Sequence, residues 1–117
     1  MMTEGQWAEN VACDYLCTQG LRLVARNYRC RHGEIDLVMQ HQDILVFVEV
    51  RYRSYQKYGG SRESIVLRKR QRLLATAQYY LQTHPAMRDC RCRFDVVLMG
   101  GQQSAPSLQW IADAFRG

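Results

Sequence analysis

The sequence predicts a mixed α/β fold in the order α-β-β-β-α-β, followed by a segment with the composition of a fifth strand. Two observations support this prediction: apolar residues recur at helical spacing near the N-terminus, and β-prone segments precede and follow a second, capped helix. The chain has 117 residues, and we expect residues 1–117 to form a single domain. A chain of this length can bury a core without metal or disulfide cross-links.

The first predicted helix covers residues 4–19. Thr3 and Gln6 have the spacing of a capping box, and Gly20 occupies the position of a helix-ending glycine. Between them the apolar residues recur at helical spacing, at Ala8, Val11, Ala12, Tyr15 and Leu16. This pattern predicts a helix with one buried face.

Three predicted strands follow the first helix. Residues 21–29 are rich in Leu, Val and Tyr, Gly33 opens a strand at 34–39, and a strongly β-prone segment covers 44–53. The polar residues 41–43 separate the last two of these strands. We therefore expect these two strands to form a hairpin.

A loop and a second helix come next. Residues 54–60 end in two glycines, which mark a break in regular structure. Ser61 is suited to cap a helix that runs to about His84, and Pro85 ends it. The remaining segments are a strand at 93–99, a loop at 100–107 and the segment of strand composition at 108–115.

The chain is basic. It has 16 lysines and arginines against 11 acidic residues, a formal net charge of +5 and a pI near 9.1. Such a charge balance favours polyanionic partners. No apolar stretch is long enough for a transmembrane helix, so we expect no membrane partner.

The cysteines indicate a reducing compartment. Five cysteines cannot all pair within one chain, and the N-terminal segment lacks the pattern of a secretory leader, so we expect a cytoplasmic protein. Cysteines and histidines could assemble a zinc site, but no CxxC motif is present. The intervals from Cys13 to Cys17 and from Cys90 to Cys92 are not typical of zinc knuckles. Buried or bystander thiols are the preferred interpretation.

Acidic side chains meet in the predicted hairpin. A turn at 41–44 places Asp36 opposite Glu49 and Glu34 opposite Arg51. Strand alternation puts one set of second-strand residues on one face, namely Glu34, Asp36 and Val38, and the other set on the opposite face, namely Ile35, Leu37 and Met39. The same rule groups the third-strand residues Leu45, Phe47, Glu49, Arg51 and Arg53 on one face, and Val46, Val48, Val50 and Tyr52 on the other.

The opposed carboxylates of Asp36 and Glu49 suggest a metal site. Like charges opposite one another destabilise a sheet, and a divalent cation would relieve that repulsion. Oxygen ligands are those that Mg²⁺ takes, together with water and substrate phosphate. The alternative is that these acids are simply solvated. The register could also slip, because Gln42-Asp43 is not a strong hairpin turn.

The hairpin motifs resemble those of a known family. The sequences GEIDLV at 33–38 and FVEVRYR at 47–53 resemble the signature of the YraN-like family of small bacterial proteins. That family is similar to Holliday-junction resolvases and belongs to the PD-(D/E)XK nuclease superfamily. The resemblance implies a restriction-endonuclease-like fold with a three-layer core. It extends over most of the chain, through Gly5, Ala8-Glu9, Tyr15-Leu16, Asn27-Tyr28-Arg29, Tyr58-Gly59, Val66, Lys69, residues 93–97 and Ala114-Phe115.

The resemblance assigns a role to each residue of the acidic site. Asp36 and Glu49 would hold Mg²⁺ or Mn²⁺, Glu34 would be an auxiliary carboxylate at the mouth, and Glu9 would be the acid of the first helix. Our own helical wheel leaves Glu9 at the boundary of the buried face. Arg51 stands where the superfamily has a lysine.

The arginine at position 51 changes the chemistry that the resemblance implies. An arginine keeps its charge and cannot act as a base, whereas a lysine can be tuned to do so. Arg51 can still stabilise charge on a phosphate. Lys57, in the following loop, is a conceivable substitute donor.

The second helix carries a dense basic segment. Its positive side chains and those that follow the third strand are candidate phosphate contacts, at Arg53, Lys57, Arg68, Lys69, Arg70 and Arg72. Such contacts grip nucleic acid without reading its sequence. The alternative is a solvated helix face.

Three functions remain open at this point. The first is a metal-dependent DNA endonuclease, specific for branched or junction DNA, which hydrolyses phosphodiester bonds. The second is a nucleic-acid-binding module whose degenerate site does not cleave, as the arginine at position 51 suggests. The third is an interaction protein whose basic helix docks an acidic partner. The resolvase-like relatives further suggest a homodimer.

Overall fold

A computed structural model describes residues 1–53 and 67–116 of the chain. The helices are α1 (Glu4–Thr18) and α2 (Leu67–Thr83), and a short 3₁₀ turn (Pro85–Met87) follows α2. The strands are β1 (Arg22–Cys30), β2 (Gly33–His41), β3 (Ile44–Arg53), β4 (Arg91–Gly100) and β5 (Ser107–Phe115). Within the described ranges this is the predicted mixed α/β order, and the C-terminal segment is a strand.

The five strands form one sheet in the order β1-β2-β3-β4-β5. Neighbouring strands are antiparallel except β3 and β4, which run parallel along their whole length. A parallel pair needs a crossover connection, and the chain between β3 and β4 contains α2. The two helices pack against different sets of sheet residues, so the core has a layer on each face of the sheet.

Helix α1 covers one face of the sheet. Thr3 and Gln6 form the predicted capping box, in which the Thr3 side chain accepts from the Gln6 N–H and Gln6 Oε1 accepts from the Thr3 N–H. The buried residues of α1 are Ala8, Ala12, Cys13 and Leu16. They pack against Leu37, Met39, Val46, Val48, Val97 and Met99. The predicted apolar face is therefore the packed one.

Helix α2 contributes to the second core cluster. Leu73, Ala77 and Tyr80 pack with a set of sheet residues that comprises Ile35, Val38, Leu45, Phe47 and Phe115. The Tyr80 ring makes edge contacts with the rings of Tyr28 and Phe47. Pro85 begins the turn directly after the helix, as predicted.

The strand limits are close to those predicted. β3 has the expected bounds, and β2 and β4 extend one or two residues beyond theirs at each end. The predicted loop at 54–60 and the Ser61 cap lie outside the described residues. Among the described residues, no helix has the length and apolar character needed to cross a membrane.

Candidate metal and phosphodiester site

β2 and β3 separate at Asp36. Their ladder runs from His41↔Ile44 to Leu37↔Val48, which is the predicted register. Asp36 comes next on β2, and its Oδ2 accepts a hydrogen bond from the Val50 N–H at 2.8 Å. The carboxylate therefore takes the place of a backbone acceptor where the two strands part.

The predicted alternation along β2 is wrong at Ile35. Ile35 packs in the α2 cluster, whereas Leu37 and Met39 pack in the α1 cluster. The strand therefore changes faces at Asp36. On β1 the backbone of Asn27, which lies opposite Asp36 in the register, has a left-handed φ of 51°. A left-handed residue breaks the regular alternation of a strand, and sequence periodicity cannot show it.

Asp36 and Glu49 lie together, as predicted. Glu49 is buried on the face of β3 that also carries Leu45 and Phe47. Burial, and then the neighbouring charge of Glu49, raise the pKa of Asp36 to about 8. In its protonated form Asp36 donates a hydrogen bond to the Glu49 carboxylate. At neutral pH, below that value, the pair therefore holds one proton and carries one negative charge.

Two cations accompany the pair. Lys69 of α2 forms an ion pair with Glu49 Oε2 through its Nζ. Arg51 Nε lies 3.6 Å from the same oxygen. Lys69 was expected on the phosphate-binding surface, and the structure instead places its ammonium group in contact with the acidic site.

A cleft of about 210 Å³ opens beside these residues. Its lining comprises Gly33, Glu34, Asp36, Glu49, Lys69, Arg72 and Leu73. Gly33 has a φ of 149°, and a Cβ there would lie 3.0 Å from Thr76 Oγ1 of α2. The absence of a side chain thus lets the start of β2 approach the helix closely. Carboxylates and cations consequently share one small cavity.

Glu9 reaches Asp36 from α1. It is half-buried, as the boundary position on the helical wheel predicted. Burial is the main cause of its raised pKa, and the neighbouring Asn27, Arg26 and Asp36 partly offset that rise. The acid of the first helix therefore lies near Asp36.

The predicted pairing of Glu34 with Arg51 is wrong. Glu34 Oε2 instead accepts from Arg29 Nε at 3.0 Å, and these two residues are direct partners in the β1–β2 ladder. Because β2 separates from β3 at Asp36, Glu34 is paired with β1 and not with β3. Glu34 is exposed and lines the cleft.

The basic residues of α2 point in different directions. Arg68, Arg70 and Arg72 are exposed. The Arg70 guanidinium lies over the Phe115 ring, 5.3 Å from its centroid, while Arg72 lines the cleft. Arg53 is exposed at the end of β3, and Lys57 lies outside the described residues.

The predicted metal ligands Asp36 and Glu49 form a pair. Among residues 1–53 and 67–116, no three side chains of the His, Cys, Asp or Glu type are grouped as a ready metal site. Mg²⁺ is commonly held by one or two carboxylates, with water and phosphate supplying the other ligands. The donor chemistry of the pair therefore fits such an ion.

Three contributions were missed in the sequence. The sequence could have predicted the inward direction of Lys69, because the buried Leu73 follows four residues later on the same helical face. The close approach of Gly33 and the left-handed Asn27 left no comparable signal. Both depend on contacts between segments distant in sequence.

Comparison with known proteins identifies the family. The model of the uncharacterised protein family UPF0102 matches residues 8–99. A UPF0102 protein of Nitrosococcus oceani is 48% identical over 113 residues, with 97% of this chain and 91% of the relative covered. Relatives from Pseudomonas entomophila (52% identity, 95% and 91% covered) and Methylobacillus flagellatus (50%, 95% and 95%) match equally broadly. The chain therefore belongs to the UPF0102 family, the YraN-like family that its hairpin motifs resemble.

Proposed function

We propose that this protein is a metal-dependent DNA endonuclease with the restriction-endonuclease-like fold of the PD-(D/E)XK superfamily. The observation that carries the proposal is the convergence of Asp36, Glu49 and Lys69 at one cleft. Two carboxylates and an amine are the groups that the superfamily motif supplies. Position 51 of this chain is an arginine, and the amine at the site is instead that of Lys69 on α2.

Asp36 and Glu49 are the residues that would hold the cation. Their mutual repulsion contributes to the raised pKa of Asp36, and a divalent cation would offset it. Mg²⁺ or Mn²⁺ bound there would supply Lewis acidity toward a phosphate oxygen. Glu9 would support Asp36 from α1, and the exposed Glu34 would stand at the cleft mouth.

The neighbouring cations have separate roles in this proposal. Lys69 carries a proton that it can give or take, so it is suited to orient the attacking water or to assist the leaving oxygen. Arg51 keeps its charge and would stabilise the negative charge that develops on the phosphate. Arg72, on the cleft wall, is placed to contact an adjacent phosphate.

DNA is the proposed substrate, and branched or junction DNA the favoured form. The exposed Arg53, Arg68 and Arg72 offer contacts to phosphates without reading bases. The net charge of +5 attracts a polyanion such as DNA, although the carboxylates of the site repel it locally. Preference for branched DNA, and assembly as a homodimer, come from the resemblance to resolvases.

One set of measurements tests the proposal. Mn²⁺ should bind the protein in calorimetry, junction DNA should bind with a steep salt dependence, and cleavage should require the metal. The Glu49→Gln variant should lose Mn²⁺ binding and cleavage while it keeps most DNA affinity. DNA binding with cleavage absent in both Mg²⁺ and Mn²⁺ would contradict the endonuclease.

The second candidate is a nucleic-acid-binding module that does not cleave. The arginine in the lysine position of the motif favours it. In that case Arg51→Lys leaves DNA binding nearly unchanged and reveals no cutting. Absence of both metal and DNA binding would instead favour an interaction protein with an acidic partner.

A further inference from the structure

An exposed aromatic side chain lies beside the acidic cleft. Among the side chains that the structure describes, Tyr79 of α2 is the exposed large apolar residue other than the two N-terminal methionines. It belongs to neither core cluster. Its ring contacts the half-buried ring of His32, with the two centroids 5.8 Å apart and the planes inclined by 59°. The two rings therefore form an aromatic pair at the surface.

The aromatic pair comes from the two elements that form one wall of the cleft. His32 directly precedes Gly33, which lines the cleft. Tyr79 follows the cleft residue Arg72 by two helical turns, a spacing that keeps both side chains on one helix face about 10 Å apart. Between them Thr76 lies against the start of β2, since a Cβ on Gly33 would be 3.0 Å from Thr76 Oγ1. The aromatic pair therefore continues the cleft along α2.

His32 is held on a tight turn. The β1–β2 ladder extends to the pair Cys30↔Gly33, so only Arg31 and His32 connect the two strands. The His32 N–H donates a hydrogen bond to Cys30 Sγ at 3.4 Å. The imidazole thus supports the Tyr79 ring from a fixed point of the backbone. An aromatic side chain that is ordered in this way before binding loses little conformational entropy when a ligand stacks on it.

We propose that Tyr79, supported by His32, is a stacking site for an unpaired base of a DNA strand. The inference rests on the proposed function, in which the cleft receives a phosphate of that strand. Base–aromatic stacking tolerates any sequence, because every base has a π-face. Arg31 and Arg72 are exposed on the same two elements and suit the phosphates that flank the base.

Such a site selects the state of the strand and not its sequence. Within a duplex both faces of a base are covered by the neighbouring base pairs, so a base must leave the stack before a protein ring can contact it. A nucleotide in a single strand, a gap or a branch point is already unstacked and pays less of this cost. The aromatic pair therefore favours DNA with unpaired nucleotides next to the cleft.

Two variants of Tyr79 separate the ring from its apolar bulk. Tyr79→Leu keeps an apolar side chain but removes the ring, and Tyr79→Phe keeps the ring but removes the hydroxyl group. Because Tyr79 is exposed, neither replacement opens a cavity in the core. Gln82→Ala is the matched control, since Gln82 is also exposed on α2, one turn beyond Tyr79. Urea unfolding checks that the three variants stay folded.

The measurement is fluorescence anisotropy, without metal, on two labelled probes of equal length: a single-stranded thymidine oligonucleotide and an oligomer with the same phosphates and no bases. Tyr79→Leu should weaken binding of the thymidine probe about 5- to 150-fold, whereas Tyr79→Phe and Gln82→Ala should bind as the wild type does. The slope of log affinity against log salt should not change, because no charge is lost. All four proteins should bind the base-free probe equally.

Equal affinity of Tyr79→Leu and wild type for the thymidine probe would overturn the inference, as would an equal loss on both probes or a wild type that binds neither. Cleavage of junction DNA by wild type and Glu49→Gln tests the proposed function separately. Metal-dependent cleavage together with an unaffected Tyr79→Leu would remove the stacking site alone. A base-dependent loss in Tyr79→Leu, in a protein that does not cleave, would support the stacking site and refute the endonuclease.

Discussion

At the scale of single residues, Asp36 joins the fold to the site. Its carboxylate accepts the Val50 N–H where β2 leaves β3, and the nearby carboxyl groups of Glu49 and Glu9 raise its pKa. The buried position that lets Asp36 accept the Val50 N–H also disfavours the charged form of its carboxyl group. Stability and metal affinity should therefore depend on the same side chain.

The pKa of Asp36 predicts a pH dependence of stability. The value is about 8 in the folded protein against 3.8 for the free side chain, so between these limits the folded state binds more protons than the unfolded state. Stability should therefore fall as pH rises from 5 to 8, by about 2–4 kcal/mol. Asp36→Asn keeps an acceptor for Val50 and should flatten that slope in urea unfolding. Asp43→Asn, at an exposed turn, is the control. An unchanged slope in Asp36→Asn would refute the raised pKa.

Lys69 should matter to catalysis more than its helix neighbours. Lys69→Ala removes the proton carrier next to Glu49 and should slow single-turnover cleavage about 10²–10⁴-fold. Arg70→Ala is the matched control, since Arg70 lies over Phe115 and not in the cleft. It should change DNA affinity modestly and the cleavage rate little. Equal losses of cleavage rate in both variants would indicate that Lys69 is only a general phosphate contact.

At the scale of elements, the cleft depends on the close approach of β2 and α2. Gly33→Ala would place a Cβ 3.0 Å from Thr76 Oγ1 on a backbone with positive φ, so either the helix or the strand must move. We expect a loss of about 1–3 kcal/mol in the free energy of unfolding. Gly5→Ala, in α1 with no such neighbour, should instead be stabilising by about 0.5–1 kcal/mol. Thermal unfolding of the two variants provides the comparison, and equal melting temperatures would contradict the close packing.

The exposed side of α2 should act as an electrostatic element. Arg68→Ala and Arg72→Ala should each lower the slope of log affinity against log salt by about one for DNA. Arg88→Ala removes the same charge from the turn beyond α2 and should leave the slope nearly unchanged. Fluorescence anisotropy over a salt series measures all three. Slopes that match wild type in every variant would favour a merely solvated helix face.

At the scale of the whole molecule, local patterns predicted most of the architecture. The period of two and the polar break at 41–43 gave the bounds of β3 and the β2–β3 register as far as Leu37. The capping box gave the start of α1. The same patterns brought Asp36 and Glu49 together correctly, because both are close to the hairpin turn.

The failures have a common physical origin in contacts between distant segments. The face switch at Asp36 coincides with the left-handed Asn27 on the neighbouring strand, and the Glu34–Arg29 pair follows from the separation of β2 from β3. Periodicity within one segment carries no information on either. The position of Lys69 was different, because the helical spacing to Leu73 already indicated an inward side chain.

Single-turnover cleavage of a four-way DNA junction tests the central claim most directly. We predict cleavage by the wild type in Mg²⁺ or Mn²⁺, none in chelator, and loss of at least about 10²-fold in Asp36→Asn, Glu49→Gln and Lys69→Ala, with junction binding retained. Arg88→Ala should cleave as the wild type does. A wild type that binds the junction but leaves it intact in both metals, or cleavage that survives in Glu49→Gln, would contradict the assignment of this cleft as an endonuclease site.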